Sequence, residues 1–465
     1  MKWWKSIILM LVVAGSGQAD PVIAALEDAK RLPYEVAIQT RYLAYDTYPK
    51  AERVELRNAG DFWPNSLSSS PDITRLRLVG TEVLAVYLPE YGWKPETWDQ
   101  LAFVDPYFTV RILTPWPGGR YSDGKTYAAG SFNLTRTASA PWLNVLDMAG
   151  LYRLTGSKAP LLRADWFLAQ VAIQDDRRVG YYDFLGVGKK RADFEAIVGL
   201  DRAKAIKLRK EIAAIVDESI VALHNRQFER FSTLNGAYWA SKDVFNNRDQ
   251  RNALRFLDKD YKHDAEEIYG TLPNGLFAFY LSDAVGSRAN TAPDSIASDG
   301  RSVSSDRRVH VGLSCVRCHV EGIRPINCWA RRAYSPPDEL KVTDPIRFLR
   351  LRQLYLSDLD KRIKDDQDAY AYALLKTNGL TPGDNAKVIA AVWERYVERP
   401  LTVDDVAREM GTTVEQLRTW IKDKEDKEGI IDPILLALSK QGNRAMTLRR
   451  EYVEEMWPVL MGLKK

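Results

Sequence analysis

Residues 315–319 read Cys-Val-Arg-Cys-His. Two thiols three positions apart can reach the two vinyl groups on one edge of a porphyrin and form two thioethers. The residue that follows is then carried beneath the iron, where its imidazole becomes the proximal ligand. The spacing therefore predicts one covalently attached haem c, held by Cys315 and Cys318 with His319 on the metal. No other five residues constrain the chain as strongly.

The cysteine count agrees. Of three cysteines, the attachment uses two, and Cys328 is left as a single thiol, expected to be buried and inert. The competing use is a zinc site built from Cys315, Cys318 and Cys328 with His310 or His319. That reading does not need a histidine directly after the second cysteine. It also leaves the start of the chain unexplained. Lys2 and Lys5 precede an apolar run, Ile7–Ala14, that is too short to span a bilayer, and Gly17-Gln18-Ala19 supplies small residues at a cleavage point. Residues 1–19 thus read as a secretory signal peptide, with an uncleaved N-terminal anchor as the alternative. Export and haem c attachment belong to the same side of a membrane, so the two signals support each other.

Composition sets outer bounds. The 465 residues carry a formal net charge of +4, of which the two lysines of residues 1–19 supply two, leaving the mature chain near +2. Such a near-neutral balance argues against a generic nucleic-acid binder. No second long apolar run follows residue 19, so no membrane span is expected after cleavage. The 13 Trp and 22 Tyr exceed the needs of a small electron carrier and predict an aromatic-rich body.

The pattern along the chain predicts an α+β protein, predominantly helical, in four segments: signal peptide 1–19, a mixed α/β body 20–300, a cytochrome-c-like haem segment 301–340 and an all-helical tail 341–465. In the body, 73–79 and 82–88 flank Gly80-Thr81 as a hairpin, and 107–113 is a further strand. The stretch 115–130 is loop. Helices are expected over 159–174 and 201–219, and strands at 236–239 and 275–281. Gly186-Val187-Gly188-Lys189-Lys190 lacks the spacing of a phosphate loop and reads as a turn before a helix near Ala192. The tail reads as helices near 345–377, 385–398, 402–410, 413–424, 432–440 and 444–462. Residues 402–417 have the look of a helix-turn-helix, taken as an ordinary helix pair in an exported chain.

Around the attachment box, residues 301–332 hold seven arginines (301, 307, 308, 317, 324, 331 and 332), no lysine and two acids, Asp306 and Glu321. Guanidinium groups bind carboxylates bidentately. Arg317 and Arg324 are candidates for the haem propionates, and Arg307, Arg308, Arg331 and Arg332 for a face that docks an acidic redox partner. A plain basic surface is the alternative. For the sixth ligand the chain offers His224, His263 and His310, or the tail methionines Met410, Met446, Met456 and Met461.

Several segments together resemble large exported bacterial proteins with a single cytochrome c domain. They are Arg41-Tyr42-Leu43, Tyr91-Gly92-Trp93 with Asp105-Pro106-Tyr107-Phe108, Leu162-Arg163-Ala164-Asp165-Trp166-Phe167, Leu272-Pro273-Asn274-Gly275-Leu276, and Gly312-Leu313-Ser314 leading into the box. The resemblance implies haem c binding and electron transfer, and it names no substrate. The chain departs from small soluble cytochromes c, whose box lies near the mature N-terminus with a ligating methionine a few tens of residues later. Here the first methionine after the box is Met410. A di-haem peroxidase needs two boxes, and this chain has one. Three functions follow as expectations: electron transfer with a redox partner, a peroxidase or oxidase using His263 with Asp264 or Arg226 at an open distal position, and a sensor or binding protein with structural haem.

Overall fold

The computed structural model describes residues 21–45, 50–105 and 145–463, apart from 177, 209, 217–221, 223, 258–260, 300–306, 320, 327, 329–335, 357, 430–431 and 441–445. The signal peptide, the strand expected at 107–113, the loop 115–130 and Arg301, Arg331 and Arg332 lie outside these residues. The fold is α+β and predominantly helical, as expected.

Two sheets organise it. The first orders its strands β2-β3-β1-β4, with β1 Thr40–Ala44, β2 Arg77–Val79, β3 Val83–Tyr87 and β4 Leu161–Arg163. β2 and β3 form the expected hairpin, Val79 opposite Val83, across a turn in which Gly80 has φ +60°. β4 joins β1 in parallel, with Tyr42 opposite Leu161. This corrects the helix expected over 159–174: Leu161–Arg163 is strand, and the helix runs only Ala164–Val171. A continuous apolar run does not distinguish a buried strand from a buried helix; the open edge of β1 decided it.

The second sheet is a six-stranded antiparallel meander whose neighbours are consecutive in sequence: β5 Glu211–Val216, β6 Arg226–Ser232, β7 Ala237–Asp243, β8 Ala265–Thr271, β9 Phe277–Asp283 and β10 Arg288–Ala289. The helix expected over 201–219 is also corrected. Helix covers Arg202–Lys207 only, and Glu211–Val216 pairs with β6, with Ala214 opposite Phe228. The alanines favour helix locally, but the pairing offered by β6 overrides that preference. β8 turns into β9 through Asn274-Gly275. Gly275 has φ +91°, and a Cβ there would meet the Ala373 methyl at 2.9 Å. Along the side of β9 that carries only the two-residue β10, the Tyr181 hydroxyl accepts from the Phe279 N–H at 2.8 Å, and the Tyr182 hydroxyl bridges the two strands, accepting from the Leu281 N–H at 2.9 Å and donating to the Ala289 carbonyl at 3.0 Å. The edge is thereby closed to further pairing.

The tail is helical. The stretch 345–377 is two helices, Pro345–Leu356 and Leu359–Asn378, the second capped by Asp358. Val403–Glu409 and Val414–Glu428 form the helix pair, with Val406, Leu417 and Ile421 turned into the core. One buried apolar cluster takes side chains from Leu43 to Leu460, so the tail packs into the same core as the body. Buried polar contacts follow the same route: Glu409 accepts from Arg163 of β4 at 3.0 Å and from Arg450 of the last helix at 2.6 Å.

Candidate haem-attachment site

Cys315, Cys318 and His319 sit on one short helix, Leu313–His319. Helical spacing puts the two thiols one turn apart on a shared face. Both are partly buried free thiols, and burial pushes the Cys315 thiol well above its ordinary value. The chain enters this helix through Gly312 at φ +82°, where a Cβ would lie 2.5 Å from both the Ala172 carbonyl oxygen and the Tyr181 ring. Only glycine lets the helix seat this closely. The chain leaves through Gly322 at φ +104°, whose N–H donates to the His319 carbonyl at 2.8 Å.

That exit turn fixes the histidine. His319 Nδ1 lies 3.2 Å from the Gly322 carbonyl oxygen. A carbonyl only accepts, so Nδ1 carries the proton and Nε2 presents its lone pair. Burial lowers the His319 pKa to about 4, so the ring is neutral at neutral pH, the form that binds a metal. The imidazole packs on the sheet, 4.9 Å from the Tyr269 ring and 5.8 Å from the Phe279 ring between centroids. Two thiols on one helical face and a neutral, tautomer-fixed imidazole beside them are a donor set that fits a c-type haem. An imidazole whose second nitrogen is held by a carbonyl is also the usual arrangement for a metal-ligating histidine.

The arginines divide. Arg317 is nearly buried and pairs with Glu398 at 2.9 Å and with Asp299 at 3.9 Å. It ties the box helix to the turn 394–398, and that position is a packed ion pair and not an open guanidinium. Arg324 is exposed, and its Nε donates to the Cys318 carbonyl at 3.1 Å, capping the last turn of the helix while its outer nitrogens face solvent. Arg307 and Arg308 are both exposed, Arg308 lying 3.9 Å from Asp294.

The other histidines are dispersed. His263 Nε2 is 3.2 Å from Glu266. Glu266 alternates along β8 with Glu267 and Tyr269, so it faces the side of the sheet away from His319. Asp264 is held by Arg251, and Arg226 by Asp243 and Glu267. The structure therefore does not bring His263, Asp264 and Arg226 together. His310 precedes the box helix, its N–H donating to Ser314 Oγ at 3.0 Å. His224 lies partly buried just ahead of β6. Met410 is fully buried in the core and Met446 is exposed. Cys328 is buried. Among the described residues no three His, Cys, Asp or Glu side chains converge as a metal cage would require.

The Gly322 carbonyl, the Tyr269–Phe279 platform and the Arg317–Glu398 pair were not anticipated from sequence. A glycine three residues after a box histidine is a legible turn signal. The other two depend on strand register and on contacts across 81 residues. The remaining quoted segments are core: Tyr91 and Trp93 stack at 4.9 Å, and Trp93 packs edge-on to Phe184 at 4.8 Å. Arg163 holds Asp165 at 2.7 Å, and Arg41 is buried. Asp105 is buried, while 106–108 fall outside the described residues.

Among the described residues no helix is long and apolar enough to cross a membrane. Comparison with protein-family models, with curated proteins and with solved structures gives no match.

Proposed function

We propose that the protein is an exported mono-haem c-type cytochrome that passes electrons to or from a redox partner. The observation that carries this reading is the box helix itself: two thiols on one face and, at its end, an imidazole whose proton is fixed on Nδ1 by Gly322. Haem, when attached, supplies a one-electron couple at its iron. The protein's own part is to orient and to insulate. Cys315 and Cys318 would hold the porphyrin edge, and His319 would offer Nε2 to the metal. Tyr269 and Phe279 keep water from the ring's inner side. Arg324 is the available cation for a propionate, because Arg317 is already engaged by Glu398. Arg307 and Arg308 remain on the surface, where basic charge steers an acidic partner and is screened by salt over about 8–10 Å. The start of the chain supports export, and the likeness to large exported cytochrome-c-domain proteins supports the same assignment.

The test is expression with a c-type maturation system and a haem-stained denaturing gel. Wild type and Cys328→Ala should stain, and Cys315→Ala with Cys318→Ala should not. His319→Ala should alter the iron spectrum more than His224→Ala, His263→Ala or His310→Ala. A colourless, zinc-loaded wild-type protein would end the reading.

A further inference from the structure

β8 presents Glu267 and Tyr269 on the face that carries the box helix, and β7 and β6 add Ser241, Asp243 and Arg226 to that face. Arg226 is buried, and its Nη2 donates to Asp243 at 2.6 Å, Ser241 at 2.7 Å and Glu267 at 2.8 Å. One guanidinium thus serves two carboxylates, and the cluster carries a formal charge of −1. The surplus is visible in the geometry: Glu267 Oε1 is buried and, among the described residues, accepts no hydrogen bond. An unpaired buried acceptor is destabilising, so packing alone does not account for it.

The cluster lies against the attachment helix. His319 rests on Tyr269. Four residues back along the helix, about 6 Å, is Cys315. Two residues back along the strand, about 6.8 Å, is Glu267. Cys315 and Glu267 therefore each lie one short step from the His319–Tyr269 contact, on the same side of the sheet. After burial, the Glu267 charge is the next cause that pushes the Cys315 thiol up, which agrees with this placement.

We infer that Glu267, through the surplus negative charge it gives the Arg226–Asp243 pair, is an electrostatic tuning residue that biases the attached haem toward its oxidised form. The inference rests on the haem reading above. Reduction transfers one electron from the partner to the iron and removes one positive charge from it, with no protein bond formed or broken. A partly buried negative charge beside the porphyrin edge would oppose that loss. Its effect survives salt in part, because a partly buried charge is screened less than an exposed one.

Potentiometric titration of the holoprotein tests this. Glu267→Gln and Glu267→Ala should each shift the oxidised-to-reduced equilibrium about tenfold toward the reduced form, about 59 mV upward for a one-electron couple. Glu267→Asp, which keeps the charge, should stay near wild type. Unchanged potentials in both neutral variants, or a shift in Glu267→Asp as large as theirs, would overturn the inference. Loss of haem from both neutral variants would overturn it too, making Glu267 a structural support. A wild-type protein that fails the haem stain fails at the earlier step and is distinguished from all of these.

Discussion

The two faces of the six-stranded sheet bury charge in opposite ways. On the face away from the box helix, under the helices of 181–207, three cations (Arg191, Arg202, Lys242) meet three carboxylates (Glu195, Glu229, Glu266), with His263 joining Glu266. Glu266 pairs with Arg191 at 2.5 Å and accepts from Ser282. On the face under the box helix, one matched pair, Arg230 with Asp366 at 2.7 Å, is buried beside Trp239, while Arg226 alone serves both Asp243 and Glu267; around them Trp239 stacks with Tyr269 at 6.2 Å, and Phe277 stacks with Tyr370 at 4.1 Å. The far face is balanced, as a scaffold that must only be stable would be. The near face holds an unbalanced charge where an iron ligand would sit, and imbalance of that kind is what functional sites retain.

The largest expected effect breaks the near face. Arg226→Leu strands the buried carboxylate of Asp243 and the partly buried one of Glu267, and should lower unfolding stability by about 3–5 kcal/mol by urea titration. A loss under 1 kcal/mol would mean that water reaches the cluster and that the contrast between faces is false.

The next effect sharpens the contrast through pH. Burial pushes Glu266 up, but its bond to His263 and the charge of Arg191 more than offset this and hold it at about 2. A carboxylate lowered on folding stabilises above its unfolded value near 4.5 and loses that contribution as pH falls toward 2. The span corresponds to about 3 kcal/mol. Asp243 has the opposite sign: burial, with Glu267 as a second negative charge, pushes it up, so its charge opposes folding at neutral pH and the penalty eases in acid. Unfolding free energies from pH 5 to 2.5 should therefore fall less steeply in Glu266→Gln than in wild type. Equal slopes would remove the Glu266 assignment.

The smallest effect is a control on burial. Lys364 and Asp368 pair at 2.7 Å on the outer side of the helix that covers the near face, and both are well exposed. Lys364→Ala should leave the midpoint of the same titration within experimental scatter. A larger loss would show that ion pairs matter here irrespective of which face buries them.

The legibility of the fold followed the range of the forces involved. The hairpin across Gly80 and the tail helices were readable because turn chemistry and helical period act over a few residues. Leu161–Arg163 and Glu211–Val216 were misread as helix because their state depends on β1 and β6, far away in sequence, offering an edge. Arg317 is a propionate candidate by its place in the box; that Glu398 engages it was not legible, because Glu398 comes from the tail.

What the sequence determined by itself is the donor set at 315–319, two thiols three positions apart with an imidazole directly after the second, which is fixed by the identity of five residues. Tertiary structure alone decided how that chemistry is held. The nitrogen of His319 that keeps its proton, the arginine left exposed and the unbalanced charge two residues from Tyr269 all arise from strand register and from helices that return across the chain. Those contacts are set by packing between distant segments, which no local pattern encodes.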